Sequence, residues 1–309
     1  MSLSVRVARD EDIPILVDYT LKLALETEGG EERERAVAEK GIKALVADPT
    51  KGFAYVAVDG DTEVIGCCIV TNEWSDWRNG VVWWLQGIYV REDRRQQGVF
   101  KTMYKHIKGV VENDSSIKGI RLFMSGTDEV GTKAFTSVGL NGNHYKQGAT
   151  TSNSKTNTAK SVSMRPANDD DLSVLLDFQL RMAEETEGLK LERAILEQGL
   201  TAGLADSRKC CCYVAIDGNE IVGCNMITFS WSPLDNATVW WLQSVYVKQS
   251  HRQCGVFRQM YESLKSTVEQ DSSITGLRLY VDVTNHRAQK VYASVGMDGG
   301  RYKLFEYLK

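Results

Sequence analysis

One pattern occurs twice in this chain, and that repetition constrains the fold more than any other feature. Val81–Ile107 and Thr238–Leu264 are identical at 14 of 27 positions, at an offset of 157 residues. A match of that length and register is a tandem duplication. It fixes the domain count first: 309 residues read as two copies of a unit of about 150 residues, the commonest domain size.

Each copy of the pattern has three parts. Trp240–Val247 is apolar enough for a buried strand, Lys248–Gly255 is a basic turn, and a helix follows. The spacing of Val256, Met260, Leu264 and Val268 predicts that helix, with Phe257 and Tyr261 widening its apolar face. A strand that feeds a helix through such a turn points free backbone N–H groups and the helix dipole at one spot, which favours an anion. Arg252 adds positive charge there. The first copy reads alike, from the strand Trp83–Val90 to the turn Arg95, Gln96, Gln97, Gly98, Val99 and Phe100.

The order of elements is the same in both halves. Each opens with a short strand, Val5–Val7 or Met164–Pro166. Acids then lead into a helix, which suits its dipole, and the helix ends at Glu26–Gly29 or Glu185–Gly188. A second helix follows, then strands on either side of the turns Asp59-Gly60 and Asp217-Gly218. The loops Trp74-Ser75-Asp76-Trp77 and Trp231-Ser232-Pro233-Leu234 lead into the repeated strand, and a strand and a last helix close the pattern at Gly139 or Gly296. Leu304–Leu308 supplies a terminal strand to the second half only. After Tyr145 the first half runs into a Ser/Thr/Asn-rich stretch with no apolar period, so residues 1–146 and 162–309 read as domains and 147–161 as a linker. The first half is then a strand short, and either presents an open edge or borrows a strand.

Composition narrows the function classes. A net charge of −4 disfavours a general nucleic-acid binder. No apolar run reaches the ~20 residues that span a bilayer, and Met1–Asp12 lacks an apolar signal core, so the expected compartment is cytoplasmic. None of the seven cysteines makes a CxxC pair, and adjacent cysteines at 210–212 would alternate between strand faces. No metal site is expected. Cys254 lies beside Arg252 in the turn, but its counterpart is Gln97, which excludes a nucleophile common to both halves.

The order of strands and helices, with the glycine turn after the fourth strand, resembles the GNAT family of acyl-coenzyme A N-acyltransferases, twice over. The family's turn, Arg/Gln-x-x-Gly-x-Gly/Ala, is matched by Arg95–Phe100 and Arg252–Phe257, except that Phe stands at the last small position. Because both copies carry Phe, that side chain is expected to turn back into the core. The family's second motif, Asn-x-x-Ala-x-x-x-Tyr-x-x-x-Gly, is complete in the second half as Asn285, Ala288, Tyr292 and Gly296. The first half has Asp128, Gly131 and Phe135 at these positions and keeps only Gly139.

The resemblance implies an α+β fold: two tandem domains, each a mixed, twisted sheet with flanking helices. It also implies an N-acetyltransferase that moves an acetyl group from acetyl-CoA to a primary amine, mainly in the C-terminal half. The coenzyme would lie along Val245, Tyr246 and Val247, over the turn residues Arg252, Gln253, Cys254, Gly255, Val256, Phe257 and Arg258, with Asn285 beside the pantetheine arm. Val90 and Arg95–Phe100 form a second candidate coenzyme site. Tyr292 would protonate the departing thiolate. For the base, Glu185, Glu187 and a water chain stay open. Acids at that helix end would favour a cationic acceptor, a small molecule or a lysine side chain, with Trp231, Trp240 and Trp241 as a candidate aromatic wall. The competing reading is a non-catalytic acyl-CoA-binding or interaction protein. Neither reading gives nucleic acid or membrane as a partner, and oligomeric state stays open.

Overall fold

The computed structural model describes residues 3–27, 34–125, 129–150 and 162–309. The first repeat runs β1 (Leu3–Val7), α1 (Ile13–Thr27), α2 (Arg35–Ala47), β2 (Phe53–Asp59), β3 (Glu63–Ser75), β4 (Gly80–Val90), α3 (Val99–Asn113), β5 (Ile117–Ser125), α4 (Glu129–Thr136) and β6 (Asn141–Thr150). The second follows the same order: β7 (Ser163–Pro166), α5 (Leu172–Glu187), α6 (Arg193–Leu204), β8 (Cys211–Asp217), β9 (Glu220–Ser232), β10 (Ala237–Val247), α7 (Val256–Gln270), β11 (Ile274–Asp282), α8 (His286–Ser294) and β12 (Met297–Leu308). The mixed α/β fold of two tandem units is as the sequence predicts.

The join between the units was not legible. Among the described residues all twelve strands form one sheet, in the order β1-β2-β3-β4-β5-β12-β6-β11-β10-β9-β8-β7. The terminal strands have changed places. β12 pairs antiparallel with β5 of the first repeat, from Tyr302↔Ser125 to Leu308↔Gly119. β6 pairs antiparallel with β11 of the second, from Arg278↔Ala149 to Asp282↔Tyr145. They pair with each other at the centre. The first half therefore borrows a strand and gives one in return. Gln147–Thr150, read from sequence as the start of the linker, end β6 instead. A central strand has both edges satisfied by its neighbours, so the ladder holds it without an apolar side-chain period. Residues 151–161, the rest of the expected linker, lie outside the described residues.

The exchange carries core with it. Phe305 of β12 is buried in the first repeat's core with Phe135, Leu122 and Met103. Phe135 packs edge-on against it at 5.6 Å between ring centres. At the middle of the sheet Trp84 and Trp241, equivalent residues, stack at 5.5 Å and 12°. These rings fasten the two repeats together. Trp241 is taken up by this stack and Trp240 packs against Phe229 at 6.1 Å, so neither serves as the aromatic wall expected for the acceptor.

The aromatic loops also cross over. Trp74 Nε1 donates to the Gly199 carbonyl of α6 (3.2 Å), and Trp231 Nε1 to the Gly41 carbonyl of α2 (2.9 Å). Trp231 thus packs on the other repeat and is likewise no wall. Both helix glycines exist for this approach: a Cβ on Gly199 would lie 2.1 Å from the Asp76 carbonyl oxygen, and one on Gly41 2.0 Å from that of Pro233. Alanine would raise helix propensity by about 1 kcal/mol. The clash outweighs this, because both neighbours are backbone, and overpacking costs about 1–3 kcal/mol or more. Gly199→Ala is expected to lower the urea midpoint, with a net loss of about 2 kcal/mol. An unchanged or raised midpoint would contradict so close a contact.

Candidate active site

The second repeat contains a wedge in the sheet. β10 and β11 run parallel and pair only from Thr238↔Ile274 to Trp241↔Arg278. Past that point β11 continues along β6, and β10 diverges. The divergence leaves the backbone edge of Leu242–Val247 facing a cleft. On its other edge β10 keeps register with β9 up to Gln243↔Met226 and resumes at Tyr246↔Cys224. Ser244 takes φ +52 at this bulge, and Gly87 takes the same value in the first repeat. A left-handed serine costs roughly 1–2 kcal/mol, so the kink is imposed by its surroundings. It takes Ser244 and Val245 out of the ladder beside the cleft.

The turn that follows has the shape expected of an anion cradle. Gly255 caps α7 with φ +78, and Gln253 takes φ +64. The first bond inside the helix runs from the Gln259 amide to the Gly255 carbonyl (3.1 Å). The amides of Val256, Phe257 and Arg258 precede it and point out of the helix end. The Phe257 ring turns inward against Tyr261 and Tyr292, at 6.2 and 5.3 Å, as expected for the departure from the small-residue pattern.

Arg252 and Glu185 differ from their expected roles. Arg252 donates to the Val247 carbonyl (2.8 Å) and to Glu185 (2.6 Å), and lies over the Tyr246 ring at 5.3 Å. The Tyr246 hydroxyl donates to the same carboxylate at 3.3 Å. Arg252 therefore pins the turn to the strand end and to α5, and Glu185 is its counter-ion rather than a base poised for an amine. The first repeat repeats the clasp with Arg95, Glu26 and the Val90 carbonyl. Cys254 Sγ lies 3.6 Å from the Arg252 carbonyl, a contact within the turn. Glu187 remains on the cleft wall, at the end of α5.

Helix α8 supplies the other wall. Asn285 caps it, its side chain accepting from the Ala288 amide at 3.0 Å. This occupies the oxygen that the sequence left open to the pantetheine arm. Tyr292 lies two turns along, partly exposed and lining the cleft. Burial pushes its phenol up to about 12, so it stays protonated and able to donate at neutral pH. In the first repeat Phe135 fills the equivalent place against Phe100 at 5.2 Å. That repeat keeps the turn (Gln96 φ +63, Gly98 φ +80) but has no hydroxyl there. Asp128 lies outside the described residues.

The cleft encloses about 1250 Å³, and the first repeat helps to build it. Asp76, Trp77 and Arg78 of the crossing loop, Arg121 of β5 and Glu306 of the exchanged strand all line it. Trp77 is held by Nε1 donating to Gln179 of α5 (2.9 Å). A buried polar network forms the floor. Arg121 donates to Glu73 (2.8 Å), to Glu306 (3.2 Å) and to the Tyr280 hydroxyl (2.9 Å), and that hydroxyl is 2.9 Å from Gln243 Oε1. Burial pushes the Glu73 carboxyl up, and Arg121 opposes it. Sequence reasoning missed all of these residues. The available signal was a mismatch between repeats: Glu73 faces Ser230, Asp76 faces Pro233 and Phe123 faces Tyr280 in the alignment. Asp76 and Tyr280 line the second repeat's cleft, and Glu73 holds Arg121 there. Among the described residues no group of three or more His, Cys, Asp or Glu is placed to hold a metal, and no helix is long and apolar enough to cross a membrane.

Comparison with known proteins follows the same division. A search of curated proteins gave no match. A Clostridium difficile 630 protein described as a possible acetyltransferase is 34% identical over 44% of this chain and 88% of its own, with a TM-score of 0.42. A tandem GNAT protein from the clavulanic acid biosynthesis pathway aligns over 99% of this chain and 98% of its own at 10% identity, with a TM-score of 0.60. A GCN5-related N-acetyltransferase from Sphaerobacter thermophilus aligns over 99% and 95% at 15% identity, with a TM-score of 0.59. The last two share the fold of the whole chain. The sequence model of the acetyltransferase (GNAT) family matches residues 18–132 and again 175–297, so the chain belongs to that family and carries its domain twice.

Proposed function

We propose that the second repeat transfers an acetyl group from acetyl-CoA to a primary amine of a small molecule or a lysine side chain. The observation that carries this reading is one cleft that joins the free edge of β10, the Gly255 turn and Tyr292. Acetyl-CoA would lie in the wedge between β10 and β11. Its pyrophosphate would meet the amides of the first turn of α7. Backbone N–H groups near Val245–Val247 would pair with pantetheine and polarise the thioester carbonyl. The amine attacks the carbonyl carbon, the C–S bond breaks, and the Tyr292 hydroxyl gives the thiolate its proton. Phe135 cannot do this, so the first repeat acts as a structural partner to the site. Acids on the α5 end, Glu187 among them, favour a cationic acceptor.

The test is release of free CoA thiol from acetyl-CoA in the presence of a panel of primary amines: spermidine, glucosamine, kanamycin and Nα-acetyl-lysine amide. Amine-dependent release with a matching N-acetyl product by mass spectrometry is expected. Saturable acetyl-CoA binding without transfer to any amine would favour the binding-protein reading instead.

A further inference from the structure

Asp76 sits in the loop that the first repeat lays over the second repeat's cleft, and it is 3% exposed. One carboxylate oxygen accepts from the Trp77 amide (2.9 Å). The other, Oδ2, is buried and has no hydrogen-bond partner among the described residues. Leaving a buried carboxylate oxygen unpaired is costly, and such an atom calls for a reason. Its main chain is locked: the Asp76 carbonyl presses on Gly199, and Trp77 and Asn79 bond to Gln179 and Gln198 of the second repeat. The loop that carries the side chain is held by the repeat that it does not belong to. The reciprocal loop, over the repeat that lacks the tyrosine, has Pro233 at this position. The position that carries a carboxyl beside the cleft with Tyr292 carries none in the reciprocal loop.

We propose that Asp76, carried in by the first repeat, is the acceptor-side carboxylate of the second repeat's site, where it receives the incoming primary ammonium and takes its proton. This rests on the acetyl-transfer reading above. The ammonium N–H bond breaks as the Asp76 carboxylate takes the proton. The free amine then forms the C–N bond at the thioester carbonyl, and the electron pair of the C–S bond leaves with sulfur. The thiolate is protonated by Tyr292, which regains a proton from the amide nitrogen of the product. The proton on Asp76 is the one released overall. Asp76 suits the task because burial pushes its carboxyl up to about 7, with the Trp77 amide and Arg78 pulling it down and Glu73 pushing it further up. Cys210 and Cys224 also face it; the Cys212 hydrogen bond and burial raise the Cys210 thiol, and burial raises that of Cys224, so both stay neutral.

A pair of CoA conjugates tests this without knowledge of the natural acceptor. One carries –CH2–CO–NH–ethyl on sulfur, and the other is the ketone in which CH2 replaces the N–H. The intact chain is expected to bind the amide about tenfold more tightly, the difference one buried hydrogen bond makes. Asp76→Ala should abolish the preference while CoA itself binds within about threefold of wild type. Equal binding of the two conjugates by wild type, or an undiminished preference in Asp76→Ala, overturns the proposal and leaves the acetyl-transfer reading standing. Failure of wild type to bind CoA or either conjugate removes that reading, and this inference with it. Asp76→Asn separates a site residue from a structural one. A carboxyl raised to about 7 is stabilising below the unfolded value of 3.8, and that stability is lost as pH rises through 7. Asp76→Asn should therefore melt at or above wild type at pH 8. A variant that unfolds there would show that the carboxylate holds the loop, and the proposal would fail.

Discussion

Tyr292→Phe is expected to slow acetyl transfer by about 100-fold or more, the usual worth of a positioned general acid. Acetyl-CoA affinity should change little. The ring packs on Phe257 at 5.3 Å and Phe keeps that contact, as Phe135 does in the first repeat. Removing one oxygen from a partly exposed phenol should cost stability little. The measurement is kcat for CoA release beside the calorimetric Kd for acetyl-CoA. A fall in both would mean that the hydroxyl shapes the site rather than donating a proton. A fall in neither would place the acid elsewhere.

The second large effect concerns the exchanged strands. Phe305→Ala, in the last strand of the second repeat, is expected to destabilise the first repeat's core by about 3–5 kcal/mol, the range for a fully buried phenylalanine. Phe305 is 2% exposed and packs with Phe135 and Leu122. Hydrogen exchange localises the effect: amides of β4, β5 and α3 should lose protection. Deleting residues 297–309 should go further, because it uncovers the edges of β5 and β6 and removes Glu306 from Arg121. By the same logic a fragment of residues 1–150 should fail to fold as a soluble unit. A cooperatively folding fragment would contradict the role assigned to β12.

Much of this was legible from residues. The duplication, the order of elements, the glycine turn and the inward Phe257 follow from spacing alone, because each depends on local backbone geometry. The strand exchange does not. β6 and β12 can close either repeat with the same ladder, and a period-two pattern reports a strand's faces, never its neighbour. The polar segment Asn141–Thr150 concealed even the strand. The floor of the cleft was hidden for a related reason. Glu73, Arg121, Tyr280 and Glu306 are far apart in sequence and meet only because the sheet is continuous. Arg252 shows the converse error. A basic residue in an anion-binding turn invites assignment to the phosphate, yet its guanidinium is taken up by Glu185 and a strand carbonyl. Position in a motif indicated the turn correctly and the side chain's partner wrongly.

The central claim is that the coenzyme binds at the second repeat's turn. Calorimetric titration of acetyl-CoA into the intact chain, Gly98→Val and Gly255→Val tests it most directly. Both glycines hold left-handed backbone, φ +80 and +78, so valine strains each turn alike. Saturable binding that Gly255→Val abolishes and Gly98→Val preserves is the predicted result. Binding lost with Gly98→Val and retained with Gly255→Val would contradict the account and move the site to the first repeat.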